Sequence, residues 1–257
     1  MKLHFKNYST CGEPLFILHG LFGSLTNWNW HSKQFSEQFS VYGVDLRNHG
    51  ESPHDDTLNY DVMAQDVVHL FDDLGIESAC IIGHSMGGKV AMELALRWPD
   101  YVNKLIVVDI APVSYPNSGD GHLDAIEGMN ALKLNALKSR GEAESFLEKY
   151  IKDQVTRKFI LTNLTSSEGA GFRWRLNLQS IKKNYAHLRD KPSTSGVFER
   201  PVLFVKGALS NYIRSEYEQE TLRFFPNARV KLIMGAGHWL HAEKPQVFQK
   251  IAVDFLT

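Results

Sequence analysis

A chain of 257 residues, 22% of them charged and 43% hydrophobic, can bury a substantial core as one large domain or as a domain with a sizeable insertion. Its formal net charge of −1 argues against a generic polyanion binder, so neither nucleic acid nor an anionic membrane surface is expected as partner. No window approaches the ~20 apolar residues of a membrane span, the opening "MKLHFKNYSTCGEP" has no apolar stretch fit for a signal peptide, and only Cys11 and Cys80 offer thiols, so a cytoplasmic protein without stable membrane insertion is expected.

Short apolar runs alternate with amphipathic segments along the chain. "PLFILHG" (Pro14 to Gly20) and "VYGVD" (Val41 to Asp45) come first. A helical stripe follows in "YDVMAQDVVHLFDDLG", where Val62, Val67, Leu70, Phe71 and Leu74 share a face and Gly75 supplies a stop. Next stand "ACIIGHS" (Ala79 to Ser85), a helix over Gly87 to Arg97 closed by Pro99, and "KLIVVDI" (Lys104 to Ile110). "PVLFVKG" (Pro201 to Gly207) and "VKLIMGAGH" (Val230 to His238) complete the set. Runs this long, rich in Val and Ile, suit strands covered on both faces, and their alternation with helices predicts an α/β fold with a parallel sheet.

One connection breaks the rhythm. From Asp109 to Pro201 the chain is far longer than a crossover helix requires, which predicts an inserted cap over 112–196 between core segments 1–111 and 197–257. Within it, Glu127 to Leu164 reads as helical with an interruption at Gly141, and "KPSTSG" (Lys191 to Gly196) reads as the return linker.

The stretch "GHSMGGKVAM" carries the first chemistry. A bare G-x-S-x-G spacing arises by chance in roughly one chain of this length in ten. Here Ser85 follows a predicted strand and opens a predicted helix, the context of a nucleophile elbow. So sharp a turn leaves no room for side chains beside the serine, which requires Gly83 and Gly87, while Gly88 lets the helix pack closely. The alternative is a glycine-rich turn with a solvated serine.

A serine hydroxyl needs a base, and histidine, with an unperturbed pKa of about 6.5, is best matched to the task. Of 11 histidines, His238 in "MGAGHWLHAEKP" follows the last predicted strand and so projects from the same carboxyl edge as Ser85. His241 is the nearby competitor, with packing or capping of the final helix as its other role. The H-x-x-H pair has no third ligand motif, so no metal is expected. His84 is expected to face away from Ser85, and His19 to belong to the turn in "LHGLFGS". The third member is less obvious, because the loop after "PVLFVKG" offers Ser210 and Asn211 where most proteins of this arrangement place an acid. Asp109, ending an apolar strand, is costly to bury without a partner, and a histidine N–H is a sensible mate. Glu216 and Glu218, on a helix surface, are the alternatives, and Asp109 could instead anchor the "DIAPV" loop.

Attack on an ester carbonyl builds negative charge on oxygen. The backbone N–H of Met86 is one candidate donor for it, and that of Leu21, with Phe22 as alternative, is the other. Phe22, Trp239 and the cap residue Trp174 are candidate acyl-pocket residues, with ordinary core packing as their other role.

Taken together, "LHGLFGS", "VDLRNHGESP", "GHSMGGKVAM", "VDIAPV" and "GAGHWLHAEKP" resemble the α/β-hydrolase superfamily and, more closely, the YbfF-type bacterial esterases. The resemblance covers nearly the whole chain. It implies a mostly parallel eight-stranded sheet with a helical cap between strands six and seven, esterase activity without a cofactor, and a triad acid at the end of strand six, which is Asp109 here. The expected substrate is a small acyl ester of short to medium chain. The segment from Pro112 to Arg200 carries a net +4 against −5 for the remainder, which would favour anionic donors such as acyl-CoA thioesters unless the charge is only a solvated face. Rival readings are a related hydrolase of carbon–carbon bonds or peptides, and a binding protein on the same fold, which would have no need of Ser, His and Asp at three strand ends.

Overall fold

A computed structural model describes residues 1–116, 121–166 and 171–257. Each of the apolar runs becomes a strand of one sheet: β2 (Glu13–Leu18), β3 (Phe39–Val44), β4 (Ala79–His84), β5 (Val102–Val108), β8 (Val202–Gly207) and β9 (Ala228–Ile233). All pair in parallel, and β1 (Phe5–Asn7) adds an antiparallel edge against β3. The spatial order is β1-β3-β2-β4-β5-β8-β9. Seven strands among the described residues replace the eight that the resemblance implies. Ahead of β2, the described residues contribute only the three-residue β1 to this sheet.

The period of two in each strand divides the core. Phe16 and Leu18 face α2 (Tyr60–Leu74) and α3 (Met86–Arg97), whereas Leu15 and Ile17 face α1 (Asn29–Phe35), the short α9 (Leu240–Glu243) and α10 (Pro245–Leu256). Helix α8 (Glu218–Phe224) joins β8 to β9. Gly75 ends α2 in the left-handed conformation, φ 65°, as the sequence suggests.

Between β5 and β8 lie α4 (His122–Ala131), α5 (Arg140–Leu147), α6 (Gln154–Leu161), the antiparallel pair β6 (Leu164–Ser166) and β7 (Phe172–Trp174), and α7 (Leu178–Asn184). The predicted break at Gly141 falls elsewhere. Gly141 sits in the first turn of α5, whose N-cap Ser139 accepts from the Glu142 N–H, and α6 starts afresh at Asp153, whose carboxylate accepts from the Thr156 N–H. Side-chain caps, not the glycine, set the boundaries. Strands β6 and β7 were not foreseen, since three-residue strands leave no periodicity to read. Residues 191–196 run without regular structure, as expected, and Ser193 is tied to Glu93 of α3 through its N–H (2.7 Å) and hydroxyl (2.6 Å). At the neck of the insertion, Lys89 of α3 donates to the carbonyls of Val113 (2.5 Å) and Asp190 (2.6 Å), joining the outgoing and returning chains. No helix among the described residues is long and apolar enough to cross a membrane.

Candidate active site

Ser85 stands where β4 turns into α3, with φ 52° and ψ −115°, a region L-residues rarely adopt. The neighbouring glycines make that turn possible. A Cβ on Gly83 would collide with the Gly87 carbonyl, and one on Gly87 with the carbonyls of Leu18 and His19. The Ser85 N–H is held by the Val108 carbonyl at 3.0 Å, so the elbow is fixed to the end of β5.

The structure brings Ser85, His238 and Asp109 together in one hydrogen-bonded chain. Ser85 Oγ lies 3.0 Å from His238 Nε2, and His238 Nδ1 lies 2.8 Å from Asp109 Oδ2. A carboxylate only accepts, so Nδ1 must carry the hydrogen, which leaves Nε2 free to take the serine proton. That tautomer is the one a general base needs. Asp109 is fully buried, with φ 51°, and its Oδ1 accepts from the Gly207 N–H at 3.1 Å. Glu216 and Glu218 are exposed, and Glu216 faces Arg214 instead.

Ser210 is the member that sequence reasoning missed. Its hydroxyl donates to Asp109 Oδ2, so the position that lacks the usual acid supports the acid on the neighbouring strand. The sequence signalled the departure at Ser210 but not its partner, which lies a hundred residues away. Tyr212, two residues on, places its ring over His238 with centroids 4.2 Å apart.

The His84 ring packs against Trp28, Trp239 and His241. It lines the same cavity as Ser85, and its Nε2–H donates to the His238 carbonyl at 3.0 Å, with the two rings 4.8 Å apart. A buried polar side chain needs a partner, and this carbonyl is the one within reach. Burial holds the His84 pKa well below its usual value, so the ring is neutral. His241 has the packing role read as its alternative, stacking on Trp28 at 4.3 Å and 2° between planes. No group of three or more metal-binding side chains occurs among the described residues. His19 holds the turn it belongs to: Nδ1–H donates to the Gly20 carbonyl (2.8 Å) and Nε2 accepts from the Leu46 N–H (3.0 Å).

The Gly23 N–H closes that turn on the Gly20 carbonyl at 2.9 Å, with Leu21 and Phe22 at its centre and Phe22 at φ 62°. Met86 opens α3, where backbone N–H groups lack intrahelical partners. Leu21, Phe22, Ser85, His238 and Trp239 share one cavity of about 630 Å³, walled on the insertion side by Tyr150, Phe159 and Ile160. Met86 lines, with Leu21 and Ser85, a smaller void of about 20 Å³. Trp174 does not reach the main cavity. It sits on β7 and donates its indole N–H to the Met129 carbonyl at 3.1 Å, because a half-buried indole needs an acceptor and α4 supplies one. Charge at the cavity is mixed, with Lys152 and Arg214 among its lining and Asp124 and Asp153 also there.

A mostly parallel sheet bearing a strained serine at the end of β4, with a carboxylate at the end of β5 and a histidine in the loop after β9, defines the α/β-hydrolase class. The chain belongs to that family, whose model, described as the alpha/beta hydrolase fold, matches residues 13–245. Within it, the chain groups with the YbfF-type esterases. It is 36% identical to Esterase YbfF of Escherichia coli over the full length of both chains. It is also 39% identical to the sn-1-specific diacylglycerol lipase ABHD11 of Mus musculus, over 95% of this chain and 80% of the relative. A solved structure described as a marine microorganism esterase superposes with a TM-score of 0.96 at 39% identity, covering 99% of each chain.

Proposed function

We propose that the protein hydrolyses short to medium acyl esters through an acyl-enzyme on Ser85. The observation that carries this reading is the continuous chain from Ser85 Oγ through His238 to Asp109 Oδ2, opening into the cavity. In the forward half-reaction Ser85 attacks the carbonyl while His238 Nε2 takes its proton and returns it to the leaving oxygen. Asp109 holds the imidazole in the required tautomer and stabilises the imidazolium. Water then attacks the acyl-enzyme by the same route. The N–H groups of Met86 and of Leu21, with Phe22 as the alternative for the second, receive the developing oxyanion; each such donor is worth about 2.7–4 kcal/mol in the transition state.

Residues 112–196 act in this reading as a cap that selects the acyl chain, supported by the contribution of Tyr150, Phe159 and Ile160 to the cavity wall. Phe22 and Trp239 contact the substrate. The same chemistry serves thioesters, and Lys152 and Arg214 offer cations to an anionic leaving group such as coenzyme A, against Asp124 and Asp153. A panel of p-nitrophenyl esters from acetyl to palmitoyl tests the reading, with a neutral and an anionic ester of one chain length compared at low and high salt. Turnover is expected to peak at short to medium chains. An optimum at palmitoyl contradicts the chain-length claim, and selectivity that is equal and insensitive to salt removes the thioester preference.

A further inference from the structure

We propose that Asn163 is a positioning residue for the oxyanion turn, so that the insertion completes the transition-state site instead of merely covering it. This rests on the reading of Ser85 as nucleophile and adds a residue to it. Asn163 lies between α6 and β6, in the insertion, and is 3% exposed. Its Nδ2 donates to the Phe22 carbonyl at 2.8 Å and to the Ile160 carbonyl at 3.2 Å. Both partners are carbonyls, so the amide nitrogen, and not its oxygen, must face them.

The consequence lies in the turn. The peptide unit between Phe22 and Gly23 is held at its N–H end by the Gly20 carbonyl and, among the described residues, at its C=O end by Asn163. Phe22 has φ 62°, which a phenylalanine adopts only under constraint. Pinning both ends of this unit fixes the Phe22 backbone, and with it the direction of the Leu21 and Phe22 N–H groups. An unheld carbonyl in a buried turn would seek another donor and carry the turn with it.

Asn163 is itself braced. Its N–H donates to the Ile160 carbonyl at 3.0 Å, and its carbonyl accepts from the Arg175 N–H at 2.8 Å, continuing the β6–β7 ladder. Trp174 anchors that ladder to α4. A hydrogen-bonded path therefore runs from α4 through the paired β6 and β7 to Asn163 and into the turn beside Ser85, and it gives Trp174 a place in the site that the acyl-pocket reading did not.

Asn163→Asp keeps the shape but sets an oxygen against the Phe22 carbonyl, and Asn163→Ala removes the donor. In either, kcat on a p-nitrophenyl ester is expected to fall roughly 10- to 100-fold, since a displaced donor costs less than a deleted one. KM should stay within about threefold of wild type, because the interaction is made in the transition state. Affinity for a trifluoromethyl ketone, which forms a tetrahedral oxyanion on the nucleophile, should fall by the same factor as kcat. A residue that only held the fold together would not give that match. Should the Ala variant fail to fold, the Asp variant, equal in size, decides by the same readouts. Wild-type kcat in the folded variants, a rise in KM alone, or a loss of kcat with wild-type ketone affinity each overturns the proposal. Activity that survives in Ser85→Ala would instead overturn the underlying reading, so the two failures are distinguishable.

Discussion

Replacing Asp109 by Asn changes one atom and tests how the buried carboxylate works. Its Oδ1 accepts from the Gly207 N–H, and its Oδ2 accepts from both His238 Nδ1–H and the Ser210 hydroxyl. An asparagine must turn its NH₂ toward one side or the other. Facing Gly207 it would set donor against donor in a site with no access to water. Facing His238 it keeps the Gly207 N–H paired and sets no donors head to head, since a neutral imidazole can accept at Nδ1 and the Ser210 hydroxyl can accept once its own hydrogen turns away. The second orientation is therefore expected, and it forces the hydrogen onto Nε2, where His238 can no longer take the Ser85 proton. The loss expected is roughly 10⁴ in kcat, as for the same change in a serine protease triad, or about 5.4 kcal/mol of barrier. The change leaves no buried charge behind, so the fold should survive. Steady-state hydrolysis of a p-nitrophenyl ester at neutral pH, with circular dichroism to confirm folding, measures it. A folded Asp109→Asn enzyme within tenfold of wild type would refute the tautomer argument and send the search for the acid elsewhere.

Ser210→Ala removes one donor from the same carboxylate. Hydrogen bonds to charged groups are worth about 1.5–3 kcal/mol, so kcat should fall roughly ten- to a hundredfold; an unchanged kcat means the hydroxyl does not support Asp109. Burial lowers the pKa values of His19, His31, His84 and His241, and that of His49 to about 3. The unfolded chain therefore binds protons first on acidification, and the stability these rings confer is fully present above about pH 6.5 and is lost below it. A Tm that stays flat from pH 7 to pH 5 contradicts this. Lys89, drawn down to about 7 chiefly by burial and also by Arg189 beside it, works over a higher range. Its folded pKa lies below the unfolded value of 10.5, so stability should rise from pH 7 toward pH 9 in the wild type and lose that slope in Lys89→Met. Above that range the raised pKa values of Cys80, Tyr60 and Tyr115 act in the opposite sense, so the comparison belongs below pH 9.

Much of this arrangement was legible in the residues because the elements that carry it are local. Val- and Ile-rich runs announce buried parallel strands, and Ser85, Asp109 and His238 each end one of them, so their common edge follows from the topology. What was not legible depends on pairs far apart in the chain. Ser210 meets Asp109 only after β5 and β8 pair, and the partner of His84 is a carbonyl that β4 cannot foresee. Trp174 reads as a pocket residue because tryptophan suits apolar cavities; its partner Met129 is set only once the paired β6 and β7 pack onto α4. In the insertion, cap side chains at Ser139 and Asp153 outweigh the glycine that first drew attention.

The central claim is that Ser85 is the nucleophile. Treating the wild-type protein and Ser85→Ala with a fluorophosphonate and mapping the adduct by mass spectrometry, beside ester hydrolysis on the same samples, tests it most directly. One phosphonyl group on the peptide that contains Ser85, no adduct in the variant, and a kcat lowered by roughly 10⁶ are the expected results. A labelled Ser85→Ala protein, or one that still turns over esters at the wild-type rate, would mean that the strained turn after β4 holds no nucleophile and that the chemistry lies elsewhere.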